Sequence, residues 1–318
     1  MTVPATNGRA GRGDRAVEVE VPATSANLGA GYDVLALALG VSLRVRVEAS
    51  TTALIELTVE GEGARELGPD RRNRFLVGLR AGFAEAGIDA RGLGWRIRME
   101  NGIPLSRGMG SSAAATVAGL LAAERLSGAR LGADRVLDLA TTIEGHPDNA
   151  AAALHGGFVL VGRVDGGLRV LRLEPPPDLV AVLFVPERHL VTAEMRRVLP
   201  ASVPHADAVF NASRVGMAVA AFATGDVSWL AAATEDRLHE PYRAGVFPAL
   251  PALVAAARAA GALGACLSGA GSTVIAFARS IDAARIEAAY RDAAAVVGER
   301  GHTRTVGLRT DGATARLT

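Results

Sequence analysis

The stretch RGMGSSAAATVAGLLAAERL, residues 107–126, constrains this chain more than any other. A turn of glycines and serines runs straight into small and apolar residues, with no charge between Arg107 and Glu124. The spacing predicts a helix from about Ser112 to Leu126 that is apolar on nearly every side. Such a helix is stable only when other elements surround it, so the rest of the chain must be built around it. The turn in front has a second property. The first N–H groups of a helix lack internal partners and carry partial positive charge, so an uncharged, hydroxyl-bearing turn at that end suits an anion. A simple loop with a helix cap would have the same composition, and the stretch alone leaves both readings open.

Strand signals dominate the region before it. VEVEV (17–21), VSLRVRV (41–47), LIELTV (54–59) and WRIRM (95–99) alternate with period two. RFLVGLRAGFAEAG (74–87) and ADRVLDLATTIEG (133–145) have helical spacing, the second ended by Gly145. Strands return at 156–162 and 168–173, and then EPPPD (174–178) breaks both helix and strand. The expected division is therefore a tail over 1–15, a first domain over 16–173 and a second over 179–318. In the second, a strand at 179–185 precedes helical segments near 192–199, 207–224, 227–238 and 249–260. A strand, Gly-rich loop and strand across 264–278, a helix at 281–297 and a strand at 303–308 complete it, a layered α+β order.

Composition narrows the function. With 318 residues, 49% hydrophobic, the chain can bury a substantial core. A net charge of +1 and only two Trp and three Tyr give no reason to expect nucleic acid. The single cysteine, Cys266, excludes an internal disulfide and a cysteine zinc cluster, and its apolar surroundings in sequence predict a buried thiol. The first residues lack a secretory signal and read as a disordered tail, so a cytoplasmic location is expected. The one long uncharged window, 259–278, is broken by four glycines and two serines and is not a membrane span. Every basic side chain is arginine. Without lysine, neither a Walker A loop nor a protein-kinase ATP site can be built.

Besides GIPLSRGMGSSAAA (102–115), three segments concentrate polar chemistry. VPATSANLGAGYDVLALAL (21–39) reads as a strand opening into a polar turn that holds Thr24, Ser25, Asn27 and Asp33. GACLSGAGSTVIAF (264–277) is a second Gly-rich bend, and TTIEGHPDNAAAALHGG (141–157) packs Glu144, His146, Asp148 and Asn149 at a helix end. Turn formation, capping and solvation would each account for one of these alone. A carboxylate beside serine hydroxyls and phosphates would also suit Mg²⁺.

In this order and spacing the segments resemble the GHMP kinase superfamily: IPLSRGMGSSAA its phosphate-binding signature, CLSGAGSTV its C-terminal Gly-rich motif. Within it the similarity is greatest to the homoserine kinases, through VPATSANLGAGYD, EGHPDNAAAALHGG and EPYR (240–243), and it extends from about residue 17 to 280. The resemblance implies an α+β, two-domain GHMP kinase fold, ribosomal-protein-S5-domain-2-like in its N-terminal half and ferredoxin-like in its C-terminal half. It implies ATP-dependent phosphorylation of the side-chain hydroxyl of L-homoserine, the step feeding threonine synthesis, by a homodimer.

Carried over residue by residue, it places the ATP phosphates on the loop Pro104, Leu105, Ser106, Arg107, Gly108, Met109, Gly110, Ser111, Ser112, Ala113 and Ala114. Asn73 would hold the adenine, and Ser112 and Glu144 would ligate Mg²⁺. Asn27 would meet the substrate hydroxyl and Asp33 its ammonium, with Arg196 and Arg243 on its carboxylate and His146 and Thr192 completing the pocket. An amino-acid zwitterion independently calls for an acid and one or two arginines, since a guanidinium forks onto a carboxylate in two hydrogen bonds. Asp148 is the candidate base, although homoserine kinases are thought to manage without one. Met109, Ala30, Tyr32, Ala193 and Ser272 stand where the family pattern has Leu, Pro, Phe, Lys and Pro. Two alternatives remain: a GHMP kinase for another small alcohol such as shikimate or mevalonate, in which Asp33 would have no ammonium to meet, or a non-catalytic metabolite-binding GHMP protein.

Overall fold

The computed structural model describes residues 16–318. The expected tail over 1–15 lies outside the described residues. Strands β1 (Ala16–Asn27), β2 (Gly31–Ser50), β3 (Ile55–Gly61), β4 (Gly94–Asn101), β5 (Phe158–Val164) and β6 (Gly167–Leu173) belong to one sheet. β2 is 20 residues long and is shared: it pairs with β1, with β4 over Leu43–Ser50 and with β5 over Leu35–Leu37. Only the β3–β4 pair is parallel.

Helices α1 (Arg74–Glu85), α2 (Ser111–Ser127), α3 (Ala133–Glu144) and α4 (Asp148–His155) accompany this sheet. As its composition requires, α2 is central, with Ala114, Val117, Ala118 and Leu120 fully buried. α1 lies so close that a methyl group on Gly119 would sit 2.1 Å from the carbonyl oxygen of Phe75.

The chain enters a second sheet after residues 174–178. β7 (Leu179–Pro186), β8 (Gly264–Leu267), β9 (Val274–Arg279) and β10 (Gly301–Gly307) stand in the order β10-β7-β9-β8, all neighbours antiparallel. α5 (Thr192–Arg197), α6 (His205–Thr224), α7 (Leu230–Ala233), α8 (Glu240–Arg243) and α9 (Leu250–Ala259) lie between β7 and β8, and α10 (Ala283–Val297) between β9 and β10. This is the β-α-β-β-α-β order of a ferredoxin-like unit.

Alternation along the second sheet divides its side chains between two cores. Ala181, Leu183 and Val185 join the core of the first sheet, while Val182 and Phe184 join a second core under α9 and α10. The halves thus share buried surface. β11 (Thr314–Leu317) returns to pair with β1, so the last residues belong to the first sheet rather than to the expected 179–318 unit. No helix among the described residues is long and apolar enough to cross a membrane.

Three local expectations need correction. The predicted polar turn is mostly strand: β1 runs to Asn27 and only residues 28–30 turn, because the hydroxyls of Thr24 and Ser25 bond to Asn149 and Ser268 across the fold instead of to their own backbone. The polar cluster after Gly145 is not a helix end alone; it begins α4. The expected helix over 227–238 stops at Ala233, because the carboxylate of Asp236 accepts the N–H groups of Leu238, His239 and Glu240 and turns the chain into α8.

Candidate active site

The sequence motifs meet in one cleft of about 280 Å³. Its walls are the turn and loop at 104–110, the N-terminus of α2, the β1–β2 turn, the α3–α4 junction, α5, α8 and the loop after β8. Every residue expected to touch a ligand lines it except Ala114, which is fully buried in the first turn of α2.

One end is built around the start of α2. Gly110 occupies the N-cap position at φ +70°, a left-handed conformation in which its absent side chain leaves room for Thr24 Oγ1; a methyl group there would lie 2.0 Å from that atom. No side chain among the described residues caps the helix, which leaves its first-turn N–H groups for a ligand. The preceding loop is held firmly. Ser268 Oγ donates to Gly108 O at 2.7 Å, Thr273 N to Arg107 O at 3.1 Å, and Thr24 N to Met109 O at 3.1 Å. Arg107, expected at the phosphates, directs its guanidinium instead to the carbonyls of Pro186, Leu105 and Glu187. It stiffens the loop. Leu190 N donates to Ser106 O, and Ser272, a departure from the family proline, donates its hydroxyl to Arg188 O at 2.6 Å.

Asn73 and Glu144 face the same end. Asn73 Oδ1 accepts the N–H groups of Phe75 and Leu76, and Nδ2 donates to Gly68 O, so the residue caps α1 as well as lining the cleft. Glu144 Oε1 accepts from Thr116 Oγ1 at 2.7 Å, and Arg74 Nε stands 3.9 Å from the same oxygen. With Ser112 it offers oxygen donors alone, a set that fits Mg²⁺. A different group, Asp33, His146 and Asp148, brings ligating atoms within 4.8 Å of one another. Those atoms already serve each other and Arg196, and a set containing an imidazole beside a guanidinium suits Mg²⁺ poorly.

The other end holds the charges. Arg196 forks onto Asp33, Nη2 to Oδ1 at 2.5 Å and Nη1 to Oδ2 at 3.0 Å. The two groups expected to read opposite ends of a zwitterion are thus paired with each other. Tyr32 lies between the arginines: its hydroxyl accepts from Arg196 Nη1 at 2.8 Å, and the guanidinium carbons of Arg196 and Arg243 stand 5.3 and 5.4 Å from its ring centre. Here the departure from phenylalanine adds a hydrogen-bond acceptor. Burial works against the charge on Arg196, but the Asp33 hydrogen bond and charge outweigh it and raise its pKa.

Arg243 is only 1% exposed. Its Nε donates to Met195 O, and Nη1 gives one hydrogen to Gly269 O and the other to His239 Nδ1. Nη2 has no partner among the described residues and is the end left for the cleft, so Arg243 offers one nitrogen rather than a full fork. Asn27 Nδ2 donates to the same Gly269 oxygen at 2.8 Å, and its Oδ1 accepts Asp33 N at 3.0 Å. One Nδ2 hydrogen and one Oδ1 lone pair remain to it. His146 Nδ1 is 2.7 Å from Asp148 Oδ1, which also accepts from Asn149 N. Burial alone would lower the His146 pKa; the Asp148 hydrogen bond and charge reverse this and hold it above the usual histidine value. Thr192 begins α5 at the rim.

Sequence reasoning missed Tyr32 as the spacer between guanidiniums, and His239 and Asp236 behind them. The only available signal was the i, i+4 spacing of His239 and Arg243 in LHEPYR. Asn211, which begins the triplet Asn-Ala-Ser, is also buried, and its side chain bridges Ala30 O and Asp236.

The two-part α+β fold, with a Gly/Ser loop feeding the start of a buried helix, is that of the GHMP kinases. The family described as GHMP kinases N terminal domain matches residues 75–157, and GHMP kinases C terminal matches residues 218–296. A homoserine kinase of Moorella thermoacetica is 45% identical over 82% of this chain and 87% of its own. One from Streptomyces coelicolor is 46% identical over 86% and 88%. The crystal structure of homoserine kinase from Cytophaga hutchinsonii superposes with a TM-score of 0.83 at 29% identity, covering 95% of this chain and 97% of that one. The chain belongs to the homoserine kinase family of the GHMP kinases.

Proposed function

We propose that the protein transfers the γ-phosphoryl group of ATP to the side-chain hydroxyl of L-homoserine, giving O-phospho-L-homoserine and ADP. The observation that carries this reading is the placement, in one cleft, of an uncapped helix N-terminus and an acid–guanidinium set matched to a zwitterion. The N–H groups at the start of α2, with the hydroxyls of Ser111 and Ser112, face the phosphates. Arg196 and Nη2 of Arg243 take the substrate carboxylate, and Asp33 takes the ammonium once Arg196 has turned from it. Asn27 orients the hydroxyl with its remaining donor and acceptor.

Ser112 and Glu144 would hold Mg²⁺, which when bound neutralises charge on the phosphates. Asp148 presents Oδ2 without a partner among the described residues, while Oδ1 is taken by His146 and Asn149. Phosphoryl transfer through a loose transition state depends mainly on position and charge neutralisation, so Asp148 acts by fixing His146 and the start of α4 rather than as a required base. Within the same reading the enzyme is a cytoplasmic homodimer.

The test is ADP release, followed by a coupled assay, with L-homoserine, its deaminated analogue 4-hydroxybutyrate, shikimate and mevalonate. Turnover with homoserine far above the others is expected. Equal turnover with 4-hydroxybutyrate would refute the role of Asp33, and absence of ADP release with every alcohol would refute the activity.

A further inference from the structure

His239 is fully buried behind Arg243 and does not itself line the cleft. Its two ring nitrogens face partners of opposite kind. Nε2 is 2.7 Å from the carbonyl oxygen of Gly29, which can only accept, so Nε2 carries the hydrogen. Nδ1 is 3.1 Å from Arg243 Nη1, which can only donate, so Nδ1 carries the lone pair. These contacts define a neutral imidazole of one tautomer. The backbone of His239 is fixed as well: its N–H donates to Asp236 Oδ2 at 2.8 Å, and the same carboxylate accepts from Asn211 Nδ2 and Glu240 N.

We propose that His239 is a positioning residue for substrate binding: a neutral, Nε2-protonated imidazole that ties the Gly29 turn to Arg243 and turns the free Nη2 of that guanidinium into the cleft. The argument rests on the reading of Arg243 as a ligand of the substrate carboxylate. Without the Nδ1 acceptor, one Nη1 hydrogen of a buried cation loses its partner and the guanidinium rotates about its remaining contacts to Met195 O and Gly269 O. An imidazolium could not serve, because it has no lone pair for Arg243. Burial, aided by the Arg243 charge and opposed by Asp236, keeps the ring neutral, with its pKa down to about 4.

The two ring nitrogens can be removed separately. In His239→Asn the amide oxygen lies where Nδ1 was and can still accept from Arg243; in His239→Gln the longer amide reaches Gly29 but leaves Arg243 without its acceptor. The expected result is a KM for homoserine raised about tenfold in His239→Gln, with KM for ATP essentially unchanged, and recovery of most of that loss in His239→Asn. Equal homoserine KM in both variants and wild type, or equal rises in KM for homoserine and ATP, would overturn the positioning role while leaving the kinase activity intact. A wild-type protein inactive on homoserine would overturn both. Should His239→Gln fail to fold, the ¹⁵N imidazole spectrum of the wild-type enzyme at pH 7 decides: the neutral Nε2–H tautomer is expected, and an Nδ1–H tautomer or an imidazolium overturns the proposal.

Discussion

The pairing of Asp33 with Arg196 predicts that one substitution will have opposite effects on two substrates. The carboxylate and guanidinium satisfy each other through two hydrogen bonds, with side chains 31% and 33% exposed. Homoserine brings both an ammonium and a carboxylate, so it can replace both halves of the pair. Asp33→Asn removes the ammonium partner, and partial exposure places the loss near the low end for a charged hydrogen bond, about 1.5–2 kcal/mol. kcat/KM for homoserine should fall ~10- to 30-fold.

The deaminated analogue has only the carboxylate and must compete with Asp33 for Arg196. For it the same substitution frees the arginine, and kcat/KM should rise, by up to ~5-fold for a partly exposed pair. Asp33 sits at φ +59°, a conformation asparagine tolerates as well as aspartate, so the backbone should not be disturbed. Coupled ADP-release kinetics with both substrates and both proteins complete the cycle. A fall by the same factor for both substrates would refute the reasoning, because it would place Asp33 in the fold or the nucleotide site.

Other consequences follow from single contacts. Gly108→Ala would set a methyl group 2.0 Å from Ser268 O at φ +72°, and should destabilise the protein by ~2–3 kcal/mol in urea unfolding; a change within ~0.5 kcal/mol would contradict the tight apposition of the two Gly-rich loops. Glu144→Gln should raise the Mg²⁺ concentration for half-maximal turnover at least ~10-fold, and an unchanged requirement would remove Glu144 from the metal site. Asp148→Asn should keep more than about a tenth of kcat, ~1.4 kcal/mol; a loss of more than ~1,000-fold at unchanged KM would make Asp148 the base. Because the folded-state pKa of His146 is raised, the stabilisation from its Asp148 pair is complete below the unfolded value of 6.5 and is lost as pH rises through the folded value. The stability gap between wild type and His146→Gln should therefore narrow from pH 6 to pH 8, and a widening gap would reverse the assignment.

The parts of the fold legible in sequence were those governed by local pattern. α2 shows its central position in composition, and β4 shows its facing in simple alternation. β1 was misread because the hydroxyls of Thr24 and Ser25, usual signs of a turn, have partners more than a hundred residues away. β11 was missed because four residues carry little periodic signal and owe their strand to pairing with β1. The lining of the cleft was legible as a set of residues but not as a network. Nothing in the order of the chain says that Arg107 will hold carbonyls, that Asn73 will cap α1, or that Asp33 and Arg196, 163 positions apart, will meet.

The central claim is that one cleft holds a nucleotide at the start of α2 and a zwitterion on Asp33, Arg196 and Arg243. A crystal structure with a non-hydrolysable ATP analogue, Mg²⁺ and L-homoserine tests it most directly. Phosphate oxygens on the N–H groups of Ser111–Ala113, and Arg196 moved from Asp33 to the substrate carboxylate, are the predicted result. Phosphates bound elsewhere, or an intact Asp33–Arg196 fork beside bound homoserine, would contradict it.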